Sequence, residues 1–122
     1  MIVRLESPIQ YFSRVTTRDV DLGEAVVIPA GARVLHSYGA ANRDERHFLR
    51  PDEFDVRRGA LDHLAFSYGV HACAGQALAR LEAEAVFRAL AHHVTGMELD
   101  GEPVRALNNI TRGFGSVPVR VW

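Results

Sequence analysis

Apolar residues between Gly75 and His93 recur at the three- and four-residue spacing of an α-helix. Leu78, Leu81, Ala85 and Ala89 mark one face, while Ala83, Val86, Phe87 and Leu90 mark another. Apolar residues on two sides predict a helix packed between neighbours rather than resting on a surface. Arg80 with Glu84, and Glu84 with Arg88, stand at ion-pair spacing, each pair worth about 0.2–0.5 kcal/mol. Gly96 comes next as the expected C-terminal cap.

The rest of the pattern is shorter. Residues 1–6 read as the last turn of a helix, stopped by Ser7-Pro8, because proline pushes the residue before it out of the helical region. Ile9 to Val15 is apolar and aromatic with partial alternation, which predicts a strand. Asp19 to Leu22 turns at Gly23, and Ala25 to Ile28 predicts a strand ended by the tight turn Pro29-Ala30-Gly31. Arg33 to Ser37 is expected to return as its hairpin partner. Tyr38 to Ala41 predicts a helical turn, broken by Asn42-Arg43-Asp44. Arg46 to Arg58 has no sustained period and reads as an irregular, packed loop. Its charges read as a solvated surface. The tail from Val104 to Trp122 alternates weakly, with turns at Asn108-Asn109 and Gly113-Phe114-Gly115. A final strand, Val117 to Val121, contains a proline that implies an edge or a bulge. No repeat, low-complexity run or linker appears, so the expectation is a single α+β domain over residues 1–122.

Composition narrows the function classes. The chain has 122 residues, enough for one modest core. A hydrophobic fraction of 48% and a net charge of −1 imply neither a nucleic-acid partner nor another polyanion. No apolar run is long enough for a bilayer and no secretory signal is evident, so no membrane partner and a cytoplasmic setting are expected. One cysteine excludes an internal disulfide and suits that setting. All 14 basic residues are arginine, a skew that either serves carboxylate binding or reflects genomic base composition.

The candidate chemistry lies in Phe66-Ser67-Tyr68-Gly69-Val70-His71-Ala72-Cys73-Ala74-Gly75. Here the lone cysteine stands where a glycine-broken loop meets the long helix. The positive end of a helix dipole favours thiolate over thiol. A thiolate there is a nucleophile or a metal ligand; the alternative is an inert buried thiol. Gly69 and Gly75 remove bulk on either side of the sulfur, as a large flat ligand requires for close backbone approach. His71 can offer an N–H to an anionic edge of such a ligand, and amides of the first helical turn can tune the sulfur.

The pattern F-x-x-G-x-H-x-C-x-G-x-x-L-A-R, running from Phe66 to Arg80, resembles the haem-binding loop of the cytochrome P-450 family of haem-thiolate monooxygenases. The resemblance implies haem (iron protoporphyrin IX) as cofactor, with Cys73 as the proximal iron ligand whose electron donation favours O–O cleavage. Phe66, Gly69, His71 and Gly75 are then cofactor-binding residues. Ser67 departs from the family, which usually has glycine there. Arg14 matches an arginine that pairs with a haem propionate, a role it would share with His71; a solvent-facing strand arginine is the competing reading. Ile9, Gln10, Tyr11 and Phe12, with the turn at Ile110 and Thr111, fall where the family lines its substrate pocket. Arg4 takes the arginine position of the family's E-x-x-R helix, or else is an exposed helix-end arginine, and Met1 stands where the glutamate would be. His36, His47, His63, His92 and His93 are given no metal role.

The implied fold is the C-terminal portion of the cytochrome P-450 fold. It comprises the end of the E-x-x-R helix, a small β-sheet, the meander with Phe48 and Phe54 as its anchors, the cysteine loop, the long proximal helix and a C-terminal β-hairpin. The chain is expected to begin inside a helix and to lack the distal, oxygen-activating half, so no catalytic residue is assigned and activity alone is not expected. The implied partners are a small apolar organic substrate and a redox partner if the missing half is supplied, with self-association or a complementing chain. The alternatives are a non-enzymatic haem-binding or partner-binding module derived from that fold, and a remnant with no cofactor.

Overall fold

A computed structural model describes residues 2–59 and 62–122, so the departure at Met1 lies outside the described residues. Where the sequence predicts one domain, contacts group into two units, Met1–Ala65 and Phe66–Trp122, each described by itself.

In the first unit, α1 (Ile2–Glu6) stops where Ser7 takes a left-handed φ of 41°. The Ser7 hydroxyl donates to the Arg4 carbonyl at 2.9 Å, and the Gln10 side-chain amide donates to the carbonyls of Glu6 and Ser7. These bonds satisfy acceptors that a helix end leaves bare. β1 spans Tyr11–Val15 and begins two residues later than predicted, although Gly39 N still donates to the Gln10 carbonyl at 3.2 Å.

The sheet pairing differs from the sequence reading. β2 (Val20–Asp21) pairs with β3 (Val27–Ile28), whereas β4 (Arg33–Ser37) pairs antiparallel with β1, Tyr11 opposite Ser37 and Val15 opposite Arg33. Two turns account for the change. Gly23, Glu24 and Ala25 all have positive φ, so the first turn consumes the start of the predicted strand. At the second turn, Gly31 N donates to Thr16 O (2.8 Å), Thr16 N to Ala32 O (3.0 Å) and Ala30 N to Asp19 Oδ1 (2.8 Å). Those bonds set residue 32 against residue 16 and feed β4 onto β1. The result is a short hairpin nested within a longer one.

α2 (Tyr38–Ala41) is capped by the Ser37 hydroxyl, which accepts from Ala40 N. The segment beyond α2 is packed more by polar than by apolar groups. Arg4, Ser7 and Asn42 are at most 1% exposed, with Tyr38, Phe48 and Ala65 as the buried apolar residues. Asn42 donates to the Ser7 hydroxyl (2.8 Å), accepts from Leu64 N (2.7 Å), and its carbonyl receives Arg4 Nη1. Arg4 Nη2 donates to Pro51 O at 2.8 Å, and Arg58 clasps the same loop through the carbonyls of Leu49 and Arg50. Phe48 turns inward where its N–H meets Asp44 O at 2.8 Å, and lies 5.0 Å beneath the Arg4 guanidinium. Phe54, the other expected anchor, is 57% exposed beyond the turn at Arg50–Glu53. Only Phe48 anchors the loop.

In the second unit, α3 (Gln76–His93) has the predicted extent, with Gly75 at its N-cap. Val94, not Gly96, ends it, donating to Leu90 O. Gly96 instead faces the C-terminal residue. Trp122 O accepts from Thr95 N (2.6 Å), Gly96 N (3.1 Å) and the Thr95 hydroxyl (2.8 Å), and a Cβ at Gly96 would overlap the Trp122 ring. β5 (Met97–Leu99) pairs with β8 (Val119–Val121), which begins after Pro118 rather than at Val117. β6 (Val104–Arg105) pairs, with an irregularity in register, with β7 (Phe114–Ser116). The predicted turn at Gly113–Gly115 is therefore largely strand, and the Phe114 ring lies 3.9 Å under the Arg105 guanidinium. Along α3, Leu78, Leu81, Val86 and Phe87 are all more than half exposed, so the predicted neighbours are absent among the described residues. Glu84 and Arg88 form the expected pair at 2.7 Å, whereas Arg80 sits 5.4 Å over Phe66. No described helix is long and apolar enough to cross a membrane.

Gly96→Ala should destabilise the chain by about 1–3 kcal/mol, because the pinned backbone of Trp122 limits how far its ring can swing away. Trp122 is the only tryptophan, so its emission should shift to the red, with a lower denaturation midpoint by the same signal.

A second prediction concerns pH. Hydrogen bonds from the Arg46 side chain and backbone lower the Asp44 carboxyl to about 2 from an ordinary 3.8. A depressed folded value stabilises above the unfolded one, and that contribution is lost as pH falls through about 2. A carboxyl NMR titration should place Asp44 there, and Arg46→Ala should return it towards 3.8.

Candidate functional site

The cysteine loop owes its shape to two left-handed residues and one long-reaching backbone bond. Cys73 N donates to Phe66 O at 2.8 Å, closing the loop on itself. Ser67 (φ 60°) and Gly69 (φ 63°) make the reversals that this closure needs. Left-handed backbone suits glycine and costs an L-residue about 1–2 kcal/mol. Gly69–His71 then forms a single 3₁₀ turn, with Ala72 N donating to Gly69 O at 3.0 Å. Gln76 N donates to Cys73 O at 3.2 Å, so the loop passes directly into α3.

This geometry presents the sulfur outward. Cys73 is an exposed free thiol, which removes the buried-thiol reading. Tyr68 and Val70 are 84% and 97% exposed beside it, and His71 is exposed at the end of the 3₁₀ turn. A Cβ at Gly69 would meet nothing within 4 Å, and one at Gly75 would meet only Cys73 Sγ at 3.9 Å. Glycine at 75 therefore answers to space outside the chain, whereas Gly69 also answers to its own φ. Phe66 is half-buried under Arg80, which holds the loop's first residue against the first turn of α3. An exposed soft donor on a backbone-closed loop, open on both sides, can act as nucleophile or single axial metal ligand. Among the described residues no cluster of three or more His, Cys, Asp or Glu offers a metal a full ligand set. A metal here would need its other donors from a cofactor.

Of the residues singled out from sequence, Phe66, Gly69, His71, Cys73 and Gly75 share this loop. Ile110 and Thr111, in the same unit, both donate their amides to Asn108 Oδ1 at 2.8 Å, an Asx turn that leaves them exposed. Arg14 and Ile9–Phe12 belong to the first unit. Arg14 Nη1 donates to Ser13 O (3.0 Å), and its guanidinium lies 5.6 Å over the Phe12 ring. It makes no ion pair among the described residues. Phe12 meets Tyr38 edge-on at 6.2 Å, while the Gln10 amide is occupied by the end of α1. Sequence reasoning missed Asn42 and Arg58, whose roles depend on carbonyls and amides distant in the chain. It did place Arg4, which proves buried rather than exposed.

Comparison with known proteins identifies the family. The family model for cytochrome P-450 matches residues 2–104. The chain is 47% identical over 119 residues to cytochrome P-450 CYP199A2 of Rhodopseudomonas palustris, covering 98% of this chain and 29% of that protein. It is 41% identical to a beta-dihydromenaquinone-9 omega-hydroxylase of Mycobacterium tuberculosis, covering 98% of this chain and 24% of that protein. Among solved structures, P450BioI in complex with a hexadec-9Z-enoic acid-ligated acyl carrier protein superposes with a TM-score of 0.91 at 37% identity. The match covers 98% of this chain and 31% of that one. CYP108D1 of Novosphingobium aromaticivorans gives 0.90 at 39% identity, covering 98% and 29%. The chain thus spans less than a third of the length of the relatives it matches. By sequence and fold it belongs to the cytochrome P-450 family, as a C-terminal portion of that fold.

Proposed function

We propose that this chain supplies the proximal, thiolate-bearing side of a haem-thiolate monooxygenase. The observation that carries the reading is the exposed Cys73 sulfur on a loop closed by its own N–H at Phe66 O. The open space at Gly69 and Gly75 fits a broad planar group approaching that sulfur. Cys73 would hold the iron, and His71 and Arg14 would offer N–H donors to the propionates. Arg14 is suited to this because its charge is not already committed to a carboxylate among the described residues. When bound, the haem supplies the oxygen chemistry by which the family oxidises organic substrates. The chain's own contribution is to fix the sulfur, orient the macrocycle's anionic edge and, through Ile9, Tyr11, Phe12, Ile110 and Thr111, offer apolar and hydroxyl surface to a small organic substrate. Gln10 contributes less, because its amide already caps α1.

Activity would need the distal side and a redox partner, both supplied by polypeptide beyond these 122 residues. The second reading, a haem-binding or partner-binding module that does no chemistry alone, is favoured by the exposure of both apolar faces of α3. Sedimentation over a concentration series tests that exposure directly. The chain alone is expected to associate, since large apolar patches on soluble monomers seldom stay bare. A monomer persisting at high concentration would refute the expected association.

Haem ligation is tested by the absorption spectrum of the haem-loaded chain. The reduced, carbon-monoxide-bound form should show the strongly red-shifted Soret band of a thiolate ligand, and Cys73→Ser should abolish it. A histidine-type spectrum surviving that substitution would sink the assignment.

A further inference from the structure

The ring of Phe12 joins a buried residue to a charged one. Residues two apart in a strand share a face, so β1 sets Phe12 and Arg14 side by side, opposite His36 and Val34 of β4. The Arg14 guanidinium lies 5.6 Å over the Phe12 ring. The same ring meets Tyr38 edge-on at 6.2 Å. Tyr38 is buried and has further partners of its own, which makes it a fixed support for the ring. Arg14 Nη1 donates to Ser13 O at 3.0 Å, and no carboxylate among the described residues claims the rest of its edge.

Two properties of a guanidinium give this arrangement a use. It stacks through its face and donates through its edge, so a ring beneath it leaves in-plane N–H groups free for an anion. It also ends a long side chain, whose rotamer freedom is lost when the charge is fixed. An arginine already resting on a ring gives up less of that freedom on meeting its ligand, and so holds it more tightly.

We propose that Phe12 is a positioning residue for Arg14, holding its guanidinium with the donor edge free for a haem propionate. Tyr38 steadies the ring, and the ring steadies the charge. The inference rests on the reading that Arg14 binds a propionate, and adds how it is held there. Phe12 then serves the anionic edge of the cofactor as well as the substrate surface.

The test follows haem transfer from the haem-bound protein, with the polypeptide that supplies its distal side present, to an excess of a haem-trapping protein. Phe12→Leu, Phe12→Tyr, Arg14→Ala and the double variant Phe12→Leu/Arg14→Ala are compared with the unaltered protein. Arg14→Ala should release haem roughly tenfold faster, as the loss of a charge-assisted hydrogen bond implies. Phe12→Leu keeps an apolar side chain but removes the ring face, and should speed release about two- to fivefold. Phe12→Tyr keeps the face and should leave the rate unchanged. In the double variant the leucine should add nothing, because the group it positions is gone. A leucine effect that persists without Arg14 would assign Phe12 to packing and overturn the proposal. So would Phe12→Tyr releasing haem as fast as Phe12→Leu, or Phe12→Leu releasing it faster than Arg14→Ala. The reduction potential of the iron is the second readout. A cation beside the propionates favours the added electron, so Arg14→Ala should lower the potential and Phe12→Leu should lower it by part of that shift. A potential lowered by Arg14→Ala but untouched by Phe12→Leu would overturn the positioning role alone. Unchanged release and potential in Arg14→Ala would refute the propionate reading itself, and the proposal with it.

Discussion

Arg4 is the group on which the first unit turns. Its guanidinium reaches from α1 to the carbonyls of Asn42 and Pro51 and covers the ring of Phe48. Asn42 answers by binding the Ser7 hydroxyl and the Leu64 amide. Segments distant in sequence are thus tied by two polar side chains. Such ties carry a condition. Hydrogen bonds in a low-dielectric interior hold strongly when complete, but each unmatched group costs about 1–3 kcal/mol. The Nε atoms of Arg4 and Arg58 are buried with no acceptor among the described residues, so this network is not complete within them. A core built this way is specific in geometry and sensitive to any missing partner. The surrounding apolar burial, limited among the described residues to Tyr38, Phe48 and Ala65, leaves little reserve against such a loss.

The second unit has the opposite character. Its site is held by backbone, and its apolar residues face outward. α3 is long enough to present Cys73 at one end, yet an unsupported helix of its length is marginal in water. Its function as a platform for the cysteine loop therefore depends on whatever covers Leu78, Leu81, Val86 and Phe87. A chain spanning less than a third of its relatives' length fits that picture, since the packing that their remaining residues can supply lies outside it.

Local pattern alone was enough to read part of the fold from sequence. The extent of α3 followed from helical periodicity, the end of α1 from Ser7-Pro8, and the cysteine loop from its glycines and Cys73. The misreadings share a cause: they concern choices made by distant partners. Arg33–Ser37 was expected to pair with Ala25–Ile28, but the bonds that Thr16 and Asp19 make with residues 30–32 at the second turn set it on β1. Gly96 looked like a cap because caps are local, but the C-terminal Trp122 claimed it. Phe48 and Phe54 are indistinguishable by pattern, and only the position of Arg4 separates them. The site suffers the same limit, since the loop was readable while the surroundings of Arg14 were not.

The way Cys73 is held follows from what it must leave open. A side chain buried among others can be positioned by packing, as Phe48 is beneath Arg4. An exposed sulfur has no such neighbours, and any that pressed on it would occupy the space a planar group needs. Its position must therefore be fixed from behind, through the backbone. The bond from Cys73 N to Phe66 O does this, and the passage of Cys73 O to Gln76 N ties the other side to α3. Side chains on the open side are then free of structural duty, which is why Tyr68 and Val70 can stand almost fully exposed without loosening the loop. Where a donor is fixed by main-chain closure, the residues that matter most to its position are those whose φ the closure dictates, and not those nearest to it in space.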